Sequence, residues 1–271
     1  MAVVCLIVFL FVSFLIVAFL PSNSEKEGEN GGNFGAGADT GNVAGGNVTG
    51  SDGDDGSSQN GGAVPSDDDK FVICIDPGHG YDDIGTSYKY LGDRCEKDIN
   101  LKVSLLVVKN LRDMGYDVVM TRDSDTPPDS LEPNVNGDYV INPAWRCDFA
   151  NSNKVDLFVS LHCNSYESDE KVNGARLYFF AESKYDSEHL GNLISKAIQD
   201  GLSVTRPSVT GLGETEAYAV TKRVEAPSVL IEMGFATNKT DAENLLNDEW
   251  QQKMAKAISD GIASYIRENE T

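Results

Sequence analysis

The sequence predicts an α/β fold, a three-layer sandwich whose mostly parallel central sheet is flanked by helices, and three observations lead to it. Apolar runs of strand length recur along the chain, stretches with apolar residues at helical spacing separate them, and both are confined to residues 71–271. That length suits a single well-buried core.

The first run, FVICID at 71–76, closes on PGHG and reads as a buried strand ending in a turn. Residues 96–115 place Ile99, Val103, Leu106, Val107, Leu111 and Met114 on one helical stripe, with Gly115 as the carboxyl-terminal cap. DVVMTR at 117–122 is the next strand and 144–154 a second helix. DLFVSLHCN at 156–164 and ARLYFFA at 175–181 are further strands. Residues 188–202 carry Leu190, Leu193, Ile194, Ala197 and Ile198 on one helical side. SVLIEMG at 228–234 returns to strand, and an amphipathic helix over 249–266 closes the unit. Strands near Arg176 and around 218–220 can run in either direction, which would make the sheet mixed.

Upstream the composition changes. Residues 2–20 are apolar apart from Ser13 and uncharged. Such a stretch approaches the ~20 residues that cross a bilayer as a helix and exceeds the ~7–15-residue core of a signal peptide. Residues 1–20 are therefore expected to be a signal peptide or membrane anchor. The flank that follows, Glu25, Glu27 and Glu29 against Lys26, offers no basic cluster to hold that side in the cytoplasm, so the remainder is expected outside the cell. Residues 21–70 are rich in Gly, Asn, Ser and Asp and poor in large apolar residues. They cannot bury enough surface to offset ordering, and a disordered acidic linker is expected.

The formal charge of −21 divides into −8 over residues 21–70, ten acids against two bases, and −13 over 71–271, 33 acids against 20 bases. Phosphate backbones are bound mainly through Lys and Arg, so no nucleic-acid partner is expected. Cys5 lies in the apolar segment; Cys74, Cys95, Cys147 and Cys163 lie in the folded unit at spacings that fit no standard zinc framework. Cys74 and Cys163 read as buried small side chains. Cys95 and Cys147 could pair if the fold brings them together.

In open sheets, ligands gather beyond the carboxyl ends of the strands. His79 follows the first strand, His162 ends the third, and Glu232 lies near the end of the last, so all three point to one edge. Glu96 shares the apolar stripe of the first helix with Ile99 and Val103. A carboxylate directed toward a core must find a partner or take up a proton. Two imidazoles and a carboxylate suit zinc, and three protein ligands leave a fourth position for water. Zinc lowers the pKa of bound water toward ~7 and polarises an amide carbonyl, while a separate carboxylate moves the proton. Glu232 is the candidate for that acid/base role. Asp76, Asn100 and Asn164 flank these residues and could orient them. Each residue also has a plainer reading: His79 as a turn residue, His162 as a satisfied core histidine, Glu96 as a helix-terminus charge, and Glu232 as a partner of Arg223 or Arg146. His189 reads as a surface residue.

IDPGHG at 75–80, Glu96 with Asn100, MTRDSD at 120–125, Arg146 before FAN at 149–151, DLFVSLHCN at 156–164 and PSVLIEMGFATN at 227–238 resemble, in order, the motifs of the zinc-dependent N-acetylmuramoyl-L-alanine amidases, the amidase 3 family. The resemblance spans nearly all of 71–271, which it makes the catalytic domain. It implies zinc ligands at His79, Glu96 and His162, a catalytic glutamate at Glu232, and cleavage of the amide between N-acetylmuramic acid and L-alanine in peptidoglycan. The expected setting is extracellular or wall-side, with peptidoglycan as partner, a membrane contact through 2–20 if that segment is not cleaved, and a monomeric chain. A zinc hydrolase of another wall amide and a non-catalytic wall-binding module are the alternatives. Residues 126–143 are longer than the usual connection at this point and could form a loop over the cleft.

Overall fold

A computed structural model describes residues 71–128 and 130–269, so the apolar segment 1–20 and the linker 21–70 lie outside the described residues. The elements in order are β1 (Val72–Pro77), α1 (Glu96–Asp113), β2 (Asp117–Met120), α2 (Pro143–Ser152), β3 (Leu157–Asn164), β4 (Arg176–Phe180), α3 (Ser187–Leu202), β5 (Ser208–Leu212), α4 (Ala219–Lys222), β6 (Ser228–Phe235), α5 (Lys239–Leu246) and α6 (Asp248–Asn269). None of the described helices is long and apolar enough to cross a membrane.

Helix starts follow local chemistry. Asp98 accepts from both the main-chain nitrogen and the thiol of Cys95, closing the first turn of α1. Asn142 accepts from the Trp145 amide ahead of Pro143, an arrangement that suits the start of α2. Asn238 caps α5 by accepting from the amides of Thr240 and Asp241.

The six strands form one sheet in the order β2-β1-β3-β6-β4-β5. Every neighbouring pair is parallel except β4 with β6, so β4 and β5 run against the other four. From β1 the chain goes outward through α1 to β2, then returns through α2 to β3 on the other side of β1. The connections after β1 and β3 therefore diverge and leave a crevice at the carboxyl edge, where ligands enter sheets of this kind.

Because side chains alternate along a strand, the sheet builds two cores. The larger lies under α1, α3 and α6, where Ile73, Ile75, Val159 and Ile231 meet Val103, Val107, Ile194, Ile258 and Ile262. The smaller joins Cys74, Phe158 and Leu230 to Cys147, Ala150, Val220 and Val224 from the side of α2 and α4. All eight residues of β6 are buried, as expected for a strand covered on both faces.

One expectation needs correction, two elements were not anticipated, and the open state of one cysteine pair is decided. Residues 218–220 are not a strand: Ala219–Lys222 makes a short helix, because three residues cannot separate a period of 2 from one of 3.6. β5 and α5 went unread, the former because SVTGL is half-exposed and broken by glycine. Cys95 and Cys147 do not pair; all four cysteines of the described residues are free, and the Cys147 thiol donates to the Pro143 carbonyl.

Candidate metal centre

β3 and β6 set the floor of the crevice. His162 and Glu232 are direct partners in that parallel pair, so both side chains rise beside one another on the α2 and α4 side of the sheet. His79 arrives from the turn after β1, in which His79 has φ 58°, Gly80 134° and Tyr81 56°. A histidine and a tyrosine in the left-handed region must be held there by their surroundings. Two buried arginines do this. Arg122 donates to the carbonyls of Pro77 (3.1 Å), Gly78 (3.1 Å) and His79 (2.8 Å), and Arg146 to those of Pro77 (3.0 Å) and His79 (2.8 Å). Arg146 is itself fixed by Asp76 at 2.5 Å, and Thr121 and Ser160 also donate to that carboxylate.

Glu96 reaches the same point from the first turn of α1, with 3% of its surface exposed. Its Oε1 stands 3.2 Å from His79 Nε2 and 3.0 Å from His162 Nδ1. One donor atom from each of His79, Glu96 and His162 lies within 4.8 Å of the other two, so the three can hold a metal ion. The two nitrogen–oxygen separations approach the ~3.3 Å expected between neighbouring ligands of tetrahedral zinc with bonds of ~2.0–2.1 Å. The donor set therefore fits the ion expected from the sequence.

Outer contacts orient each donor. His79 Nδ1 meets Asp83 Oδ2 at 2.9 Å, leaving Nε2 to face Glu96. Glu96 accepts from the amides of Thr86 (2.8 Å) and Cys163 (3.0 Å) and from Asn100 Nδ2 (3.3 Å). Two glycines make room: a Cβ at Gly78 would stand 2.3 Å from the His162 ring, and one at Gly85, where φ is 64°, would stand 2.7 Å from both Glu96 and His79. Burial alone would lower the His79 pKa, but hydrogen bonds and charge from Asp83 and Glu96 outweigh it and push it up to about 10. Burial would raise Glu96, yet His162 and His79 hold it well below the usual carboxylate range.

Glu232 differs. Its Oε2 is buried and, among the described residues, has no hydrogen-bond partner. Burial first, then the charge of Glu96, raise its pKa to about 8 against an opposing pull from His79. A carboxyl group in this condition can take or release a proton near neutrality. Tyr218 stands edge-on to Tyr178 at 5.6 Å, its phenol pushed up by burial and by the charge of Glu232. On the other side, Glu170 accepts from Tyr88 (2.5 Å), Lys89 (2.6 Å) and Tyr90 (2.8 Å), which ties the connection after β3 to the one that carries Gly85 and Thr86.

Thus His79, Glu96, His162 and Glu232 converge, and Asn100 touches Glu96. Asp76 acts one step further out, through Arg146. Asn164 does not orient a ligand: its Oδ1 accepts from the next amide, that of Ser165. Neither proposed arginine neutralises Glu232, since Arg146 pairs with Asp76 and Arg223 with Asp148. His189 is at the surface, paired with Glu268. Tyr139, in the connection between β2 and α2, is fastened to the turn after β1 by exchanging hydrogen bonds with Asp82. Sequence reasoning missed Asp83, Thr86, Arg122 and Tyr218 as parts of the site. Only Asp83 left a signal, an acid four residues from His79 in a glycine-rich turn.

Comparison with known proteins places this geometry among relatives. The family model described as N-acetylmuramoyl-L-alanine amidase matches residues 73–264. A germination-specific N-acetylmuramoyl-L-alanine amidase of Bacillus subtilis is 31% identical over 73% of this chain and 80% of its own length. The protein YqiI of the same organism is 36% identical over 72% of this chain and 84% of its own. Among solved structures, an N-acetylmuramoyl-L-alanine amidase from Clostridium difficile superposes with a TM-score of 0.64 at 26% identity, covering 73% of this chain and 97% of that one.

Proposed function

The chain belongs to the N-acetylmuramoyl-L-alanine amidase family and hydrolyses the peptidoglycan amide between N-acetylmuramic acid and L-alanine, and from that premise we propose that it does so as a zinc enzyme, with His79, Glu96 and His162 holding the metal and Glu232 moving the proton. The convergence of three donor atoms within 4.8 Å beside a buried, unpartnered carboxyl oxygen carries this reading.

Zinc bound there would activate water and polarise the scissile carbonyl. The protein supplies the rest. Glu96, His79 and Asp83 form a chain of contacts that holds the His79 ring in one orientation. Glu232 accepts the proton of the attacking water and delivers it to the nitrogen of L-alanine as the carbon–nitrogen bond breaks, so one group serves as base and then acid. Its raised pKa suits both halves of that transfer. The two buried arginines keep the turn of His79 from relaxing and so preserve the alignment on which the attack depends.

Residues 1–20 serve in this reading as an export or anchoring segment, residues 21–70 as a linker, and the enzyme acts on the wall outside the membrane. Digestion of purified peptidoglycan with the full chain, before and after chelation and zinc restoration, tests the proposal. Mass spectrometry is expected to find stem peptides with a free L-alanine amine only when zinc is present. Cleavage that is indifferent to chelation, or new amines at other positions, would refute it.

A further inference from the structure

Beside Glu232 the sheet presents a cation that the catalytic reading leaves unused. β4 runs against β6, so its first residue lies at the same edge as the last residues of β6, and Arg176 is the direct partner of Glu232. Directly opposed residues of an antiparallel pair project to the same face. Along β4, Arg176, Tyr178 and Phe180 are half-buried, whereas Leu177 and Phe179 on the opposite face are buried in the larger core. The face shared with Glu232 is therefore only partly covered.

Arg176 and Glu232 nevertheless form no ion pair. The guanidinium lies over the Phe235 ring, 5.1 Å from its centroid, and among the described residues it has no hydrogen bond and no carboxylate partner. Other basic side chains around the crevice are engaged: Arg146 by Asp76, Arg122 by five main-chain carbonyls, Lys97 by Asp125 and Lys89 by Glu170. A half-buried guanidinium stacked on an aromatic ring keeps its hydrogen-bonding edge free, and that planar edge matches a carboxylate.

We infer that Arg176 binds a carboxylate on the peptide side of the scissile amide and thereby determines both substrate polarity and preference. This rests on the amidase reading, in which the muramoyl carboxyl is consumed in the bond to be cut, so a free carboxylate next to the cleft must belong to the peptide. Arg176 thus marks the β4 side of the crevice as the peptide side. Its stack on Phe235 holds the charge away from Glu232, which stays able to exchange its proton while the substrate carboxylate is held nearby.

Two synthetic N-acetylmuramoyl peptides test this. Both begin with L-alanine followed by an acidic residue, and they differ only in whether its carboxyl groups are free or amidated. The wild-type chain is expected to favour the free acid by about 10- to 100-fold in kcat/KM, mostly through KM, as for a charge-assisted contact. Arg176→Gln should collapse that ratio toward one, and Arg176→Lys should restore part of it. Equal kcat/KM for both peptides in the wild type, or a ratio that survives Arg176→Gln in a variant with wild-type melting temperature, overturns the inference. If the wild type cleaves neither peptide, the amidase reading fails instead. Equilibrium binding of the free-acid peptide to wild type and Arg176→Gln, followed by calorimetry, then decides the role of Arg176: loss of binding in the variant supports it and equal binding refutes it.

Discussion

Arg122 and Arg146 donate to the same acceptor, the main-chain carbonyl oxygen of His79, each at 2.8 Å. Two guanidinium groups crowd one carbonyl because the turn beneath it is unfavourable by itself: His79 and Tyr81 both have positive φ. The arginines replace the regular hydrogen bonding that a turn of this shape cannot provide. They also fix the direction from which the His79 ring approaches Glu96.

Removing one of them should loosen the ring more than the fold. Arg122→Ala is expected to weaken zinc binding by about 10- to 100-fold, the usual cost of losing an outer-shell contact. Arg122→Lys should recover only a small part, since an ammonium cannot fork between the carbonyls of Gly78 and His79. Competition against a chromophoric chelator measures this, and an unaltered affinity in Arg122→Ala would contradict the positioning role.

Gly78→Ala targets the opposite wall. Its Cβ would stand 2.3 Å from the His162 imidazole, so the ring must leave its place. Zinc affinity and amidase activity should fall together by at least about 10-fold, as for a displaced ligand. A variant that binds zinc as tightly as wild type would show that the ring is free to shift without consequence.

Glu232→Gln separates chemistry from binding. The amide preserves the shape of the side chain but cannot accept the proton of the attacking water. Turnover should drop by about 10²- to 10⁴-fold, the range for a lost acid/base group, while zinc content by atomic absorption stays at the wild-type level. Loss of the metal along with activity would move Glu232 into the ligand set.

Asp76 governs stability. Its pKa is lowered: burial opposes ionisation, but Arg146, Ser160 and Thr121 more than offset it. A carboxyl group held below its unfolded value of about 3.8 stabilises the fold above that pH and loses the contribution as pH falls through the folded value. Asp76→Asn leaves Arg146 buried without its charge partner and should cost about 3–5 kcal/mol at neutral pH. Thermal melts should show a constant gap between wild type and variant from pH 7 down to about 4, narrowing in stronger acid. A gap that widens in acid would contradict this sign.

Much of this was legible before the structure. Strands such as DLFVSLHCN and SVLIEMG announce themselves as continuous apolar runs, because a strand covered on both faces has no polar side. The polar residues that end them, His162 and Glu232, stand out against that background for the same reason. Glu96 was legible through its place on the apolar stripe of α1. β5, by contrast, is a half-exposed edge strand with a central glycine and has no comparable signature. Arg122 carried no mark of its role, since its partners are carbonyl groups, which every residue has.

The sequence alone determined the alternation of strands and helices, the edge of the sheet on which chemistry gathers, and the identity of the four residues that meet there, because each depends on local periodicity and on polar groups placed where burial demands a partner. Only the tertiary structure decided which atoms face one another. The parallel register that sets His162 beside Glu232, the left-handed turn held by two arginines, and the reversed strand that brings Arg176 to the same edge all join segments 43 or more residues apart, the smallest separation being that between Arg122 and His79. Contacts of that range arise from the packing of whole layers, and no periodicity along the chain encodes them.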